Sequence, residues 1–217
     1  LRSLVGSEMC IRDRVIAGYL RLAKSITAFG NTIPLSYLRL VPHQEAPTNI
    51  CWGDRNRSTL VRVPLGWLGV NDMVRHANPQ ETSDFVTQGE KQTIEFRAPD
   101  GSASIYYLLA GLVVAAKYGM EMEDAIAYAD KLYVDVNIFD DEYKQLQKSL
   151  PQLPGSCWES AQCLLDDREI YQRDGVFSPA VIDGTVEMLR SYEDADLSER
   201  LYGNKAEIQK LVDQYLY

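Results

Sequence analysis

Arg39, Arg55, Arg57 and Arg62 fall between Ser36 and Pro64, in a stretch without lysine whose only counter-charges are Glu45 and Asp54. The 217-residue chain around them is acidic, with a formal net charge of −9. The stretch is therefore a local cationic feature. The permanently charged, planar guanidinium grips carboxylate or phosphate oxygens bidentately, so the chemistry these residues offer is recognition of an anion. A lone arginine is most often a solvated surface group, and the surroundings decide between the two. Gly53, Asp54 and Asn56 are turn formers, which makes 53–58 a loop. Thr59 to Val63 is β-branched and apolar and reads as a strand. Arg57 and Arg62 are five apart and would point oppositely on one regular strand, so a shared site requires Arg57 to lie in the loop.

A second constellation is Thr93 to Asp100, TIEFRAPD. Alternation puts Glu95 and Arg97 on one strand face and turns Ile94 and Phe96 to the core. The same pattern also describes an ordinary amphipathic strand with a charged solvent face.

The elements that must position these groups are mostly helical. Ala103 to Tyr118 is apolar almost all round and stops before Gly119, as a buried helix with a glycine C-cap does. Met122 to Leu132 reads as a second helix. Pro151, Pro154 and Gly155 punctuate a loop, helical spacing resumes from Trp158 to Tyr171, Ser178-Pro179 opens another helix, and Lys205 to Tyr217 closes the chain. No internal repeat or low-complexity segment is present. At 46% hydrophobic residues the chain can bury one sizeable core. Its acidity disfavours nonspecific nucleic-acid and membrane binding, and no apolar run reaches the roughly 18 residues of a membrane span. The four cysteines (Cys10, Cys51, Cys157, Cys163) lack metal-ligand spacing. Reduced thiols and a cytoplasmic location are the expectation.

Taken in order, RLVP and EAP (Arg39 to Pro42, Glu45 to Pro47), RNRS (Arg55 to Ser58), R-x-P (Arg62 to Pro64) and E-x-R-x-P-D-x-S-A (Glu95 to Ala103) closely resemble the second half of the catalytic domain of glutamine synthetases, most like the bacterial type I enzymes. The resemblance begins near Val15 and continues weakly to Asp183. It implies an α+β fold, an antiparallel sheet flanked by helices and followed by a largely helical C-terminal region. It also implies an ATP-dependent ligase that makes glutamine from glutamate and ammonia through a γ-glutamyl phosphate, with Mg²⁺ or Mn²⁺ and a homo-oligomer of stacked rings.

By motif position, Arg39 and Arg97 resemble the groups around the substrate glutamate, with Arg97 near the transferred phosphate. Arg57 and Arg62 resemble the phosphate-contacting arginines, and Glu95 resembles a metal ligand. Lys91 is a candidate for nucleotide contact. Glu45 occupies the position of a flap glutamate, which closes over bound glutamate, keeps water from the acyl phosphate and accepts a proton as ammonia becomes an amide. His43-Gln44 stands where the family usually has glycine and an aromatic residue. Gly66 to Gln92 is a longer excursion than usual and has no assigned role. Many type I enzymes are switched off by adenylylation of a tyrosine in an N-L-Y-D segment. Here Asn137-Ile138-Phe139-Asp140 has no hydroxyl at that position.

Leu4 to Arg14, LVGSEMCIRDR, matches one reading frame of a common transposase-type sequencing adapter. Residues 1–14 are therefore expected to be foreign, and residues 15–217 to be the C-terminal portion of a catalytic domain whose N-terminal part is missing. Such a piece alone is expected to be inactive. Two alternatives share the resemblance: a sibling ligase joining glutamate to a larger amine such as a polyamine, and a non-catalytic assembly member.

Overall fold

The computed structural model describes residues 6–40, 47–64, 73–82, 93–201 and 203–216, without the side chains of 6–10, Met73, Ser198 and Leu216. Glu45 and Lys91, together with His43 and Gln44, lie outside them, as does most of the 66–92 excursion.

The first half is α1 (Gly6–Arg21), α2 (Ala23–Gly30), α3 (Pro34–Arg39), β1 (Trp52–Asp54), β2 (Val61–Val63), α4 (Met73–Ala77) and β3 (Glu95–Phe96). The rest is helical: α5 (Ile105–Glu121), α6 (Ala125–Lys131), a 3-10 turn at Asp141–Tyr143, α7 (Lys144–Ser149), α8 (Cys157–Asp166), α9 (Arg168–Gln172), α10 (Pro179–Arg190), α11 (Leu197–Arg200) and α12 (Lys205–Leu216). The α+β class and the helical second half are as the sequence implied.

The sheet differs from the expected antiparallel one. β2 and β3 are antiparallel, with Arg62 opposite Glu95. β1 runs parallel to β2, with Trp52 opposite Val61. Parallel neighbours ordinarily need a long crossover; strands only three residues long leave so short a return that the 55–60 loop makes it. The strand expected over 93–100 is reduced to Glu95–Phe96, with one further bond from the Arg97 N–H to Leu60 O at 3.0 Å; Pro99, with no N–H, is placed beyond the paired residues. Ile94 and Phe96 pack against the core but stay partly exposed.

The core is continuous from Ile16, Leu20 and Ile26 through Trp52, Leu60 and Val61 to Leu164, Ile182 and Leu189. Helix α1 packs chiefly on α5 and α6, and α2 on α8 and α5. The α1–α5 crossing is tight because both helices offer glycine there. A Cβ on Gly18 would lie 1.9 Å from the Ala115 carbonyl oxygen, and one on Gly119 2.0 Å from that of Arg14. Gly119 is thus a buried crossing point inside α5, where a C-cap was expected. Nor is α5 buried all round: Ile105, Leu109 and Val113, spaced four apart, are 66%, 56% and 67% exposed. Its apolar outer stripe has no cover among the described residues.

Two helix assignments also change. The expected 122–132 helix forms over Ala125–Lys131. The expected 158–171 helix is two, α8 and α9, meeting at Asp167, whose carboxylate accepts from Ser25 Oγ at 2.8 Å. Helix α1 runs unbroken across residues 14 and 15, and Arg14 donates to the Met122 carbonyl at 2.9 Å. Ser178 caps α10 as the Ser-Pro pair suggested, accepting from Val181 N.

Candidate active site

The β2–β3 pair supplies the centre of the site. Cross-strand neighbours on one sheet face are close enough for side chains to pair, and Arg62 donates to Glu95 as a fork: Nε to Oε2 at 2.9 Å and Nη2 to Oε1 at 3.0 Å. Arg97 follows β3 and turns toward the loop before β2. Its Nη1 donates to the Thr59 carbonyl at 2.9 Å and to the Arg57 carbonyl, while its backbone N–H donates to Leu60 O at 3.0 Å. Arg97 thereby holds the back of the loop that carries Arg57.

Arg57 lies in that loop, as a shared site required. Its side chain is exposed, and its guanidinium makes no hydrogen bond or ion pair among the described residues. The loop turns at Arg55, whose φ of +59° is the left-handed region that non-glycine residues seldom adopt; its N–H donates to Val63 O at 2.8 Å and closes the turn. Arg39, last in α3, donates through Nη2 to the Ala98 carbonyl, and its Nε stands 3.9 Å from Asp100 Oδ2. Asp100 is itself fixed, its Oδ1 accepting from Ser102 N at 2.9 Å and Ser102 Oγ at 2.7 Å.

The charges of three arginines, Arg39, Arg57 and Arg62, reach Arg97. Burial holds the Arg97 guanidinium below its ordinary pKa, the positive charges of Arg62, Arg57 and Arg39 push the same way, and Glu95 opposes them. Across the cleft and the depression beside it, five guanidiniums (Arg39, Arg55, Arg57, Arg62, Arg97) stand against four carboxylates (Asp54, Glu95, Asp100, Asp135), a small excess of positive charge. Arg57, Arg62 and Arg97 open onto a cleft of about 900 Å³, walled also by Asp54, Arg55, Asn56, Ser58, Asp135, Val136, Asn137 and Phe139. Arg39 lines a neighbouring depression with Ser36, Asp100 and Ser102.

Sequence reasoning missed the far wall. Val134 N donates to Trp52 O at 2.8 Å and Trp52 N to Leu132 O at 3.0 Å, so 132–136 runs beside β1. Gly53 allows that approach, since a Cβ there would meet Val134 O at 2.3 Å. The available signal was Gly53 itself, read only as a turn former. Among the described residues no group of three or more His, Cys, Asp or Glu could hold a metal ion. Glu95 is the single candidate ligand, with both oxygens occupied by Arg62. These residues alone do not fit a divalent metal.

A small mixed sheet framed by helices, opening arginines onto a polar cleft, defines an α+β protein with an arginine-lined cleft. The chain belongs to the glutamine synthetase catalytic domain family, whose sequence profile matches residues 6–208. It is 35% identical over 162 residues to the glutamine synthetase of Pyrococcus furiosus, covering 74% of this chain and 31% of that protein. To that of Salmonella typhimurium it is 31% identical over 179 residues, covering 82% and 33%. The chain therefore spans about a third of the length of these curated relatives. Among solved structures, a GmaS/ADP complex superposes with a TM-score of 0.60 at 23% identity, covering 94% of this chain and 40% of that one. Plasmodium falciparum glutamine synthetase gives 0.59 at 19%, covering 96% and 42%. Both likenesses concern the fold.

Proposed function

We propose that the protein of which this chain is part is an ATP-dependent ligase that forms glutamine from glutamate and ammonia. The observation that carries the reading is the convergence of Arg39, Arg57, Arg62 and Arg97 at one end of a catalytic-domain sheet. In the proposed reaction the γ-carboxylate oxygen of glutamate attacks the γ-phosphorus of ATP, and ADP leaves. Ammonia then attacks the γ-carbon, phosphate departs with the carboxylate oxygen, and one proton is lost from nitrogen. Charge accumulates on phosphoryl oxygens in the first step and on the departing phosphate in the second. Arg57, Arg62 and Arg97 would neutralise it, and phosphoryl transfer is catalysed largely by such positioning and neutralisation.

Arg39, on its separate depression, would take the α-carboxylate end of glutamate. Glu45 would accept the proton from nitrogen. Lys91 is retained only as a nucleotide contact. Members of this family generally use ATP and divalent metals, and the ADP named in the related complex agrees with a nucleotide here. Glu95 could donate one ligand to Mg²⁺ or Mn²⁺ only after leaving Arg62, and the remaining ligands would have to come from beyond these residues. The 217 residues alone are for that reason proposed to be inactive. Residues 1–14 are proposed to be foreign, which sequencing the genomic locus across codon 14 would decide. No helix among the described residues is long and apolar enough to cross a membrane; a cytoplasmic homo-oligomer of stacked rings is proposed for the whole protein.

The test is the amine. Full-length protein given glutamate and ATP should release phosphate with ammonium and give glutamine. Faster turnover with a polyamine than with ammonium would make it the sibling ligase, and no turnover with either would leave the non-catalytic assembly member.

A further inference from the structure

The loop that presents Arg57 is held from below by one side chain. Asn56 Nδ2 donates to Val134 O at 3.1 Å and to Val136 O at 2.8 Å. Its Oδ1 accepts from Ser58 N at 2.9 Å and Ser58 Oγ at 2.8 Å. All four neighbours are of one hydrogen-bonding kind at each end, so only one orientation of the amide satisfies them. Ser58 Oγ in turn accepts from Ile138 N at 3.3 Å. The two residues flanking Arg57 are thus both fastened to 134–138. From the opposite side Arg97 Nη1 is fastened to the Arg57 and Thr59 carbonyls. Arg57 itself extends into the cleft between these two anchors.

We propose that Asn56 is the positioning residue of the arginine cluster: it fixes the Arg57 loop on the 134–138 segment, and through the Arg57 and Thr59 carbonyls it fixes Arg97. This rests on the ligase reading above. Asn56 touches no reacting atom. Its amide pairs the Val134 carbonyl and shares the Val136 carbonyl with Ser58 Oγ, which donates to it at 3.4 Å, and it holds Arg57 at one distance from the phosphoryl oxygens. Of the uncharged side chains of its size, only an amide can donate to two carbonyls and accept from two donors at once.

The test is a double-mutant cycle in the full-length protein, read as glutamate-dependent phosphate release. Asn56→Asp keeps the shape, loses both donated bonds and sets a carboxylate against two carbonyls. A displacement of about 1 Å at such a site costs on the order of 10²-fold in rate. The expected result is a loss of that order in kcat, an unchanged KM for the amine, and a double variant with Arg57→Gln that is slower than Arg57→Gln alone by clearly less than the loss Asn56→Asp causes by itself. Losses that multiply, or wild-type kcat in Asn56→Asp, overturn the proposal. If Asn56→Asp does not fold, Ser58→Ala replaces it in the same cycle, with a smaller loss and the same non-additivity expected. Wild-type activity in Arg57→Gln would instead reject the role given to Arg57. An inactive Arg57→Gln beside a fully active Asn56→Asp rejects the positioning role alone.

Discussion

Arg62 and Glu95 face each other across the antiparallel β2–β3 pair and are joined by two parallel hydrogen bonds of 2.9 and 3.0 Å. The side chain proposed for phosphate and the one proposed for metal therefore neutralise each other when neither ligand is bound. Glu95→Gln should release the Arg62 guanidinium. Glu95 is 38% exposed, which limits such a pair to about 1 kcal/mol, or about a fivefold gain in affinity for inorganic phosphate in the absence of metal. Calorimetric titration of the full-length protein should show that gain together with loss of ligase activity. Unchanged or weaker phosphate binding would mean that the pair does not compete with the anion.

The glycine pair at the α1–α5 crossing gives a stability test. At both sites the added Cβ meets backbone, at 1.9 Å and 2.0 Å, so a helix must move. Gly18→Ala or Gly119→Ala should each cost about 3 kcal/mol, the upper end for overpacking, a fall of roughly 6–12 °C in Tm for a domain of this size. Gly184, in α10, has open space around its missing Cβ. Gly184→Ala should raise stability by up to about 1 kcal/mol. Thermal unfolding of the three variants tests both signs.

How far the site could be read from sequence follows from what each residue type encodes. Arg62, Glu95 and the loop position of Arg57 were legible because strand alternation and turn formers are local properties. The parallel β1–β2 pair was not, since pairing direction depends on the length of a return that sequence leaves open. The exposed stripe of Ile105, Leu109 and Val113 was not legible either: an apolar sequence states what could be buried, and only the packing of α1 and α2 on one side states what is. Asn56 was seen as a turn former because its partners are backbone carbonyls almost 80 positions away, which carry no sequence signal.

Phe139 is 41% exposed and lines the arginine cleft. With no hydroxyl at that position, the 137–140 loop should carry no AMP in the native full-length protein. Intact-peptide mass spectrometry should find it unmodified, and Phe139→Tyr should create an acceptor for an adenylylating enzyme. AMP on Tyr133 or Tyr143 of the unaltered protein would contradict the expectation.

Cys51 is fully buried, and burial pushes its thiol from the ordinary 9.0 up to about 11. A raised folded-state pKa means the folded protein keeps a proton that the unfolded chain loses. The stabilisation is full below about pH 9 and is lost as pH rises toward 11, at roughly 1.4 kcal/mol per unit. Between pH 8 and 10.5 the urea-unfolding free energy of wild type should drop by roughly 2 kcal/mol more than that of Cys51→Ala. Parallel curves would show that Cys51 ionises equally in both states.

The central claim is that glutamate's own carboxylate oxygen is carried off by phosphate. Full-length protein should be given glutamate labelled with ¹⁸O in the γ-carboxylate, ATP and ammonium, and the inorganic phosphate analysed by mass. The account predicts one ¹⁸O in each phosphate and one retained in the glutamine amide. Unlabelled phosphate, or phosphate release that does not require glutamate, would contradict it.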